Sequence, residues 1–298
     1  MDRLSRRGVV LAGAASALTA CGSTSRSAPA GAGRSAPSTP PTKPTTPTSA
    51  PSSTASSAPR LPHVTAWRPD AAELAPACKL TAVRRIEAAG NDRDQALQVI
   101  DAQYGGLLTD SASVLVVTRS WRRADQDVII GGHTYDVRLS RVATDRWRIT
   151  AIHPSRPGRP SRHLTVAARH VLASSRISLP PAGVADVRSG RVHDSVLRTL
   201  LTLGATYRIH VSVVRSGHPI HVFGTDRLSD HPQGRAFDTW AIDGHPVVGG
   251  PRTLVEDYMH ATAAAGSYNV GGPYLLGAAP QWFSDFTHHD HVHAGFAT

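Results

Sequence analysis

The chain has 298 residues, a formal net charge of +10 and only 5% aromatic residues. That length allows one large domain or two small ones, and any core must lean on Val, Leu, Ile and Ala. The charge suits an anionic setting such as a wall polymer or a lipid surface. With no zinc finger, RNA-binding signature or basic helix beside it, nucleic acid is not an expected partner.

Residues 1–20 have a basic start and then an apolar run from Gly8 to Ala20. The run is too short to span a bilayer and reads as a signal peptide. Arg6-Arg7 after Ser5, followed by Val9-Val10, resembles the twin-arginine export signal. "LTAC" resembles the bacterial lipobox, which implies that Cys21 is lipidated and ties an extracytoplasmic protein to the cell membrane. Cys78 is then the sole remaining thiol, so no intrachain disulfide is expected. It reads as a small buried apolar residue.

Residues 21–60 are dominated by Ser, Thr, Pro, Ala and Gly and hold no aromatic residue. Such a segment cannot bury a core and is expected to be a disordered linker. At about 3 Å per residue it would reach roughly 120 Å at full stretch, enough for a stalk into a cell wall.

A small α+β domain is expected over 61–155. "LTAVRRIEAAG" and "DRDQALQVIDAQYGG" read as helices with Gly stops. "SASVLVVTRSW", "TYDVRLSRV" and "RWRITAIHP" read as strands, the last two forming an antiparallel hairpin around "ATD". Helices followed by such strands are loosely similar to the fold of nuclear transport factor 2. His133 and His153 are isolated and read as surface or capping residues. "PSRPGRPSR" (154–162) reads as an interdomain linker.

A second α+β block with an antiparallel sheet is expected over 163–298. "HDSVLRTLLTLGA" reads as a helix with Val196, Leu197, Leu200 and Leu201 on one face, ended by Gly204. "YRIHVSVVRSG" reads as a strand with Ile209, Val211 and Val213 inward. "RAFDTWAI" and "HPVV" read as strands around an Asp243-Gly244 turn. Pro251 and Gly266 bound a further helix, and "HVHAGF" reads as a last strand.

Eleven of the sixteen histidines lie after residue 190. In the terminal "HHDHVH", strand alternation places His291 and His293 on one side and Val292, Ala294 and Phe296 on the other. Two imidazoles facing a cavity suit a metal. In "SDHPQGRAFD", His231 and Asp238 are seven positions apart, and "PQG" supplies the turn that brings them together. His, Asp and His are donors that zinc accepts, and three protein ligands leaving one open position is the catalytic pattern.

Ser229-x-His231-x-x-Gly234-x-Ala236-x-Asp238, followed by His291-x-His293, resembles the LAS zinc metallopeptidases. That family includes D-Ala-D-Ala carboxypeptidases, penicillin-insensitive murein endopeptidases, lysostaphin-type endopeptidases and the hedgehog signalling domain. The resemblance covers roughly residues 190–298. It implies a zinc peptidase-like domain with His231, Asp238 and His293 as zinc ligands and His291 as general base. A His at the base position is more like the endopeptidase branches; the carboxypeptidase branch usually has Glu there. Asp290 or His289 would orient an imidazole.

The implied activity is zinc-dependent hydrolysis of peptide bonds in peptidoglycan stem peptides or cross-bridges, by a D,D-carboxypeptidase or an endopeptidase. One element of the carboxypeptidase pattern is absent: an Arg after an upstream Ser-Gly-aromatic stretch. Here Ser216-Gly217 is followed by His218-Pro219, and Arg215, His218, His221 or Arg227 would have to substitute. The alternative is a catalytically inactive, zinc-stabilised wall-binding module. A third reading is metal scavenging by the His-rich end.

Overall fold

A computed structural model describes residues 59–297. The signal segment 1–20, Cys21 and nearly all of the 21–60 linker lie outside the described residues. The fold is mixed α+β. Among the described residues no helix is long and apolar enough to cross a membrane.

The first block opens with α1 (Pro76–Gly90), started by a proline whose missing N–H costs a first-turn position nothing. Five strands follow: β1 (Gln95–Leu107), β2 (Ser111–Ala124), β3 (Asp127–Gly131), β4 (Thr134–Ala143) and β5 (Arg146–Pro154). They form an antiparallel sheet in the order β1-β2-β4-β5, with β3 paired to β2. Along β2 the side chains alternate between two destinations. Val114 and Val116 join Cys78, Ala82, Val83 and Ile86 of α1 in one core, whereas Leu115 and Val117 face the second block and pack with its Val213.

"DRDQALQVIDAQYGG" is therefore not a helix: its residues from Gln95 onward are β1. The strand is buried on both faces and carries bulges at Val99/Asp101 and Tyr104/Gly106. Burial removes the apolar–polar alternation and each bulge resets its phase, so the apolar spacing imitates a helix. The β4–β5 hairpin forms as expected, with Val137, Leu139 and Trp147 in the α1 core.

Residues 155–162 carry no regular element but are not a free linker. The carbonyls of Arg156 and Pro157 accept from the Arg215 guanidinium, and Ser161 N–H donates to the Arg188 carbonyl.

The second block contains α2 (Val166–Ala173), β6 (Ile177–Ser178), α3 (Pro181–Arg188), α4 (Asp194–Thr206), β7 (Ile209–Val213), β8 (Ala236–Ile242) and β9 (His245–Pro246). It continues with α5 (Arg252–Ala264), β10 (Asn269–Gly271), β11 (Trp282–Phe283) and β12 (Val292–Gly295). The sheet order is β11-β10-β12-β8-β7-β6, with β9 paired to β8. It is antiparallel at its centre, but the edge pairs β6–β7 and β10–β11 are parallel, so the all-antiparallel expectation is corrected. Gly204 does not end α4, which runs on to Thr206; the glycine is where Ile177 packs closely against the helix. Asp243 and Gly244 both have positive φ, as the β8–β9 turn requires.

The helices cover one face of this sheet in a core that includes Val196, Leu200, Phe237, Tyr258, Val292, Ala294 and Phe296. Burying Val292, Ala294 and Phe296 there turns the alternate residues of β12 toward the other face. The first block covers that face.

Candidate metal centre

β12 lies between β8 and β10, and its register sets His293 directly opposite Asp238. His231 arrives from the preceding turn. Gly234 takes φ 74° there and its N–H closes onto the His231 carbonyl, which folds "HPQG" back so that His231 and Asp238 meet despite their spacing.

Three donor atoms converge. His231 Nε2 is 3.1 Å from Asp238 Oδ1 and 3.2 Å from His293 Nδ1, and His293 Nδ1 is 3.0 Å from Asp238 Oδ1. All three side chains are buried. His231 Nδ1–H donates to the Val214 carbonyl at 2.9 Å, which fixes the tautomer and leaves the Nε2 lone pair facing inward. Acceptor atoms packed this closely repel unless a proton or a cation lies among them. Bonds of about 2.0–2.2 Å to a tetrahedral cation hold its donors roughly 3.3–3.6 Å apart. The donor set therefore fits a metal ion, needing only a slight expansion.

Two further imidazoles border the centre. His218 stacks on His231, with ring centroids 4.2 Å apart, and is within reach of the same centre. His291 Nδ1–H donates to Asp290 Oδ1 at 2.6 Å, and its Nε2 lies 3.9 Å from Asp238 Oδ1. Asp290 is itself held by Lys79 Nζ at 2.7 Å and by the Tyr104 N–H at 3.0 Å, both from the first block. The non-facing oxygen of Asp238, Oδ2, accepts from Gln103 Nε2 at 2.7 Å.

The charges follow from this packing. Burial alone would raise the Asp238 carboxyl, but His231 and His291 outweigh it and hold it well below the usual range. Burial would lower His291, yet Asp238 and the Asp290 hydrogen bond push it up to about 9. His293 is pushed down to about 4, first by burial, and His218 also falls well below its ordinary value. With no cation present, protonated His291 is the counter-charge to Asp238; a divalent cation sharing Asp238 takes over that part and drives His291 toward the neutral form.

The centre floors a cavity of about 830 Å3 whose walls include Tyr104, Gly106 and Leu108 of the first block and Phe223, Leu228, Tyr268 and Phe286 of the second. His291 and His293 line it, with His288, whose Nδ1 is 2.7 Å from Asp285. Of the possible substitutes for the absent arginine, His218 and Arg227 line this cavity. Arg215 is turned away, bound to the Arg156 and Pro157 carbonyls and 3.5 Å from Asp186. His221 is exposed in the loop that pairs with Leu228.

Asp290 orients His291 as expected, but His289 does not orient an imidazole. Its Nδ1–H donates to the Phe286 carbonyl and its Nε2 accepts from Leu74 N–H. Glu73, His289 and Asp290 form a second cluster of ligand-type residues, but Lys79 Nζ already sits against both carboxylates, 2.5 Å from Glu73 and 2.7 Å from Asp290. Cys78 is buried and its thiol is pushed up to about 12 by burial, so it is apolar packing and not a nucleophile.

Sequence reasoning missed Lys79, Gln103 and Tyr104. The one available signal was a lysine inside the apolar stripe of "ACKLTAV". No family model, curated protein or solved structure matches this chain, so the centre is read on its own geometry.

Proposed function

We propose that the chain is a zinc-dependent peptidase acting on peptidoglycan at the cell envelope, anchored through lipid on Cys21, with His231, Asp238 and His293 as ligands. The observation that carries the reading is the convergence of those three donors beside an imidazole held by a buried carboxylate. The His231–Asp238 and His291–His293 motif resemblance and the formal charge of +10 agree with it.

A zinc ion bound there supplies Lewis acidity, polarising a carbonyl and making water a nucleophile near neutral pH. The protein's own groups do the rest. His291, neutral when a cation shares Asp238, takes a proton at Nε2 and returns it to the leaving amine. Asp290 holds the Nδ1–H, so the imidazole presents Nε2 in both steps. His218 and Arg227 are the polar cavity groups available to the substrate where the expected arginine is absent.

The test is elemental analysis of the purified protein, His293→Ala and His291→Ala, followed by digestion of purified peptidoglycan and mass spectrometry of the products. The expected result is one zinc in wild type and His291→Ala, markedly less in His293→Ala, and new peptide termini with wild type alone. The termini identify a carboxypeptidase or an endopeptidase. Zinc without cleavage assigns a zinc-stabilised wall-binding module instead.

A further inference from the structure

The first block contributes to the centre directly. Gln103 lies on β1, is 1% exposed, and reaches across the seam between the blocks. Asp238 uses Oδ1 toward the two imidazoles and Oδ2 toward the Gln103 amide. The amide is fixed in turn: the Ser212 hydroxyl of β7 lies against Gln103 Oε1, which leaves Nε2 as the group facing Asp238. A flipped amide would set oxygen against carboxylate, so only one orientation is stable.

Two features suit this residue type. Gln is neutral, so it orients the carboxylate without competing with a metal for its charge, as Lys or Arg would. The contact is buried, where an unpaired Oδ2 would carry the full cost of desolvation. The bulge between Val99 and Asp101 resets the phase of β1, and beyond it Ala102 and Tyr104 face the α1 core while Gln103 crosses to Asp238.

We infer that Gln103 is a positioning residue of the metal centre, holding Asp238 so that a single oxygen faces the metal, and that the first block serves to complete the centre of the second. The inference rests on the metal-site reading and not on the peptidase activity.

The test measures zinc affinity by competition with a chromogenic chelator, on the full protein, for wild type, Gln103→Leu, Ser212→Ala and Gln103→Glu. Folding is checked by circular dichroism and metal-free melting. The expected result is a loss of about 10–100-fold for Gln103→Leu and a smaller loss for Ser212→Ala, which frees the amide but keeps it. Gln103→Glu can donate to Asp238 only while its carboxyl is protonated, so its zinc binding is expected to lie closest to wild type at the acid end of the pH range and to fall toward that of Gln103→Leu as pH rises, a response that lost packing would not produce.

Zinc affinity within threefold of wild type in a folded Gln103→Leu would overturn the inference and leave the metal centre standing. Wild type that binds no stoichiometric zinc would overturn both. Should Gln103→Leu fail to fold, Ser212→Ala decides: weakened zinc binding with unchanged metal-free melting supports the role, and unchanged binding overturns it.

Discussion

Lys79 of α1 and Asp290, just ahead of β12, lie 2.7 Å apart with neither side chain reaching solvent. Lys79 also meets Glu73, so one buried cation serves two carboxylates. Burial alone would lower the lysine, but Asp290 and Glu73 raise it above its ordinary value. Removing it leaves buried charges without a partner, which costs about 3–5 kcal/mol. Lys79→Met is therefore expected to lose that much stability in urea unfolding at pH 7. A loss under about 1 kcal/mol would show the carboxylates to be hydrated or protonated instead.

A pH-dependent contribution to stability sits in the same neighbourhood. Asp101 is pushed up to about 7, first by burial, against the pull of Lys79 and with Asp290 and Glu73 adding to it. Its Oδ2 is buried without a partner. Between about pH 4 and 7 the folded protein keeps a proton that the unfolded chain releases. That contribution is fully present below about pH 4 and is lost as pH rises through 7. Asp101→Asn is expected to match wild type near pH 4 and to exceed it by about 1–4 kcal/mol at pH 8. Unfolding curves of both proteins across that range check this; parallel curves would refute it.

Gly234 is required where it stands. Its φ is 74°, and an added Cβ would lie 2.1 Å from the Arg191 carbonyl oxygen, a backbone atom with little room to move. Gly234→Ala is expected to cost about 1–3 kcal/mol and to weaken metal binding, because the same turn sets His231 against Asp238. Calorimetric melting and zinc titration of this single variant test both parts. Gly244, also at positive φ but with open space around it, is the control: Ala there should leave zinc binding unchanged.

Metal removal gives a direct reading of the centre. Ligand binding to the folded state alone stabilises by about 4 kcal/mol at a free concentration a thousandfold above Kd. Zinc is therefore expected to raise the melting temperature and a chelator to reverse the rise. His293→Ala should show neither effect. A zinc-induced rise that persists in His293→Ala would move the binding site away from these three residues.

Legibility in the sequence tracked how local each determinant was. Val292, Ala294 and Phe296 alternate with His291 and His293 on a strand with one core-facing side, so the residues on each face could be read directly, and they are buried in that way. The "PQG" turn was legible because Pro232 fixes its own φ and Gly234 permits the positive φ that the turn needs. β1 was misread because it is covered on both faces and bulged twice, which erases the period of two. Gln103 and Lys79 carried no local sign of their partners: Asp238 and Asp290 are brought to them by the seam between two sheets. The parallel edge pairs were equally unreadable, since two-residue strands such as β6 and β11 have no period.

The way the blocks are joined has a consequence for how the cavity admits a molecule. Its walls come from both blocks, yet the seam beneath it is locked by Gln103 on Asp238, Lys79 on Asp290 and the Leu115–Val117–Val213 contact. Swinging the blocks apart would strip Lys79 from Asp290 and Gln103 from Asp238 at once. A hinge between the blocks is the motion this architecture resists, so the opening of the cavity is preformed. A molecule entering the cavity therefore meets a fixed apolar rim, where Leu108, Leu228 and Phe286 are exposed.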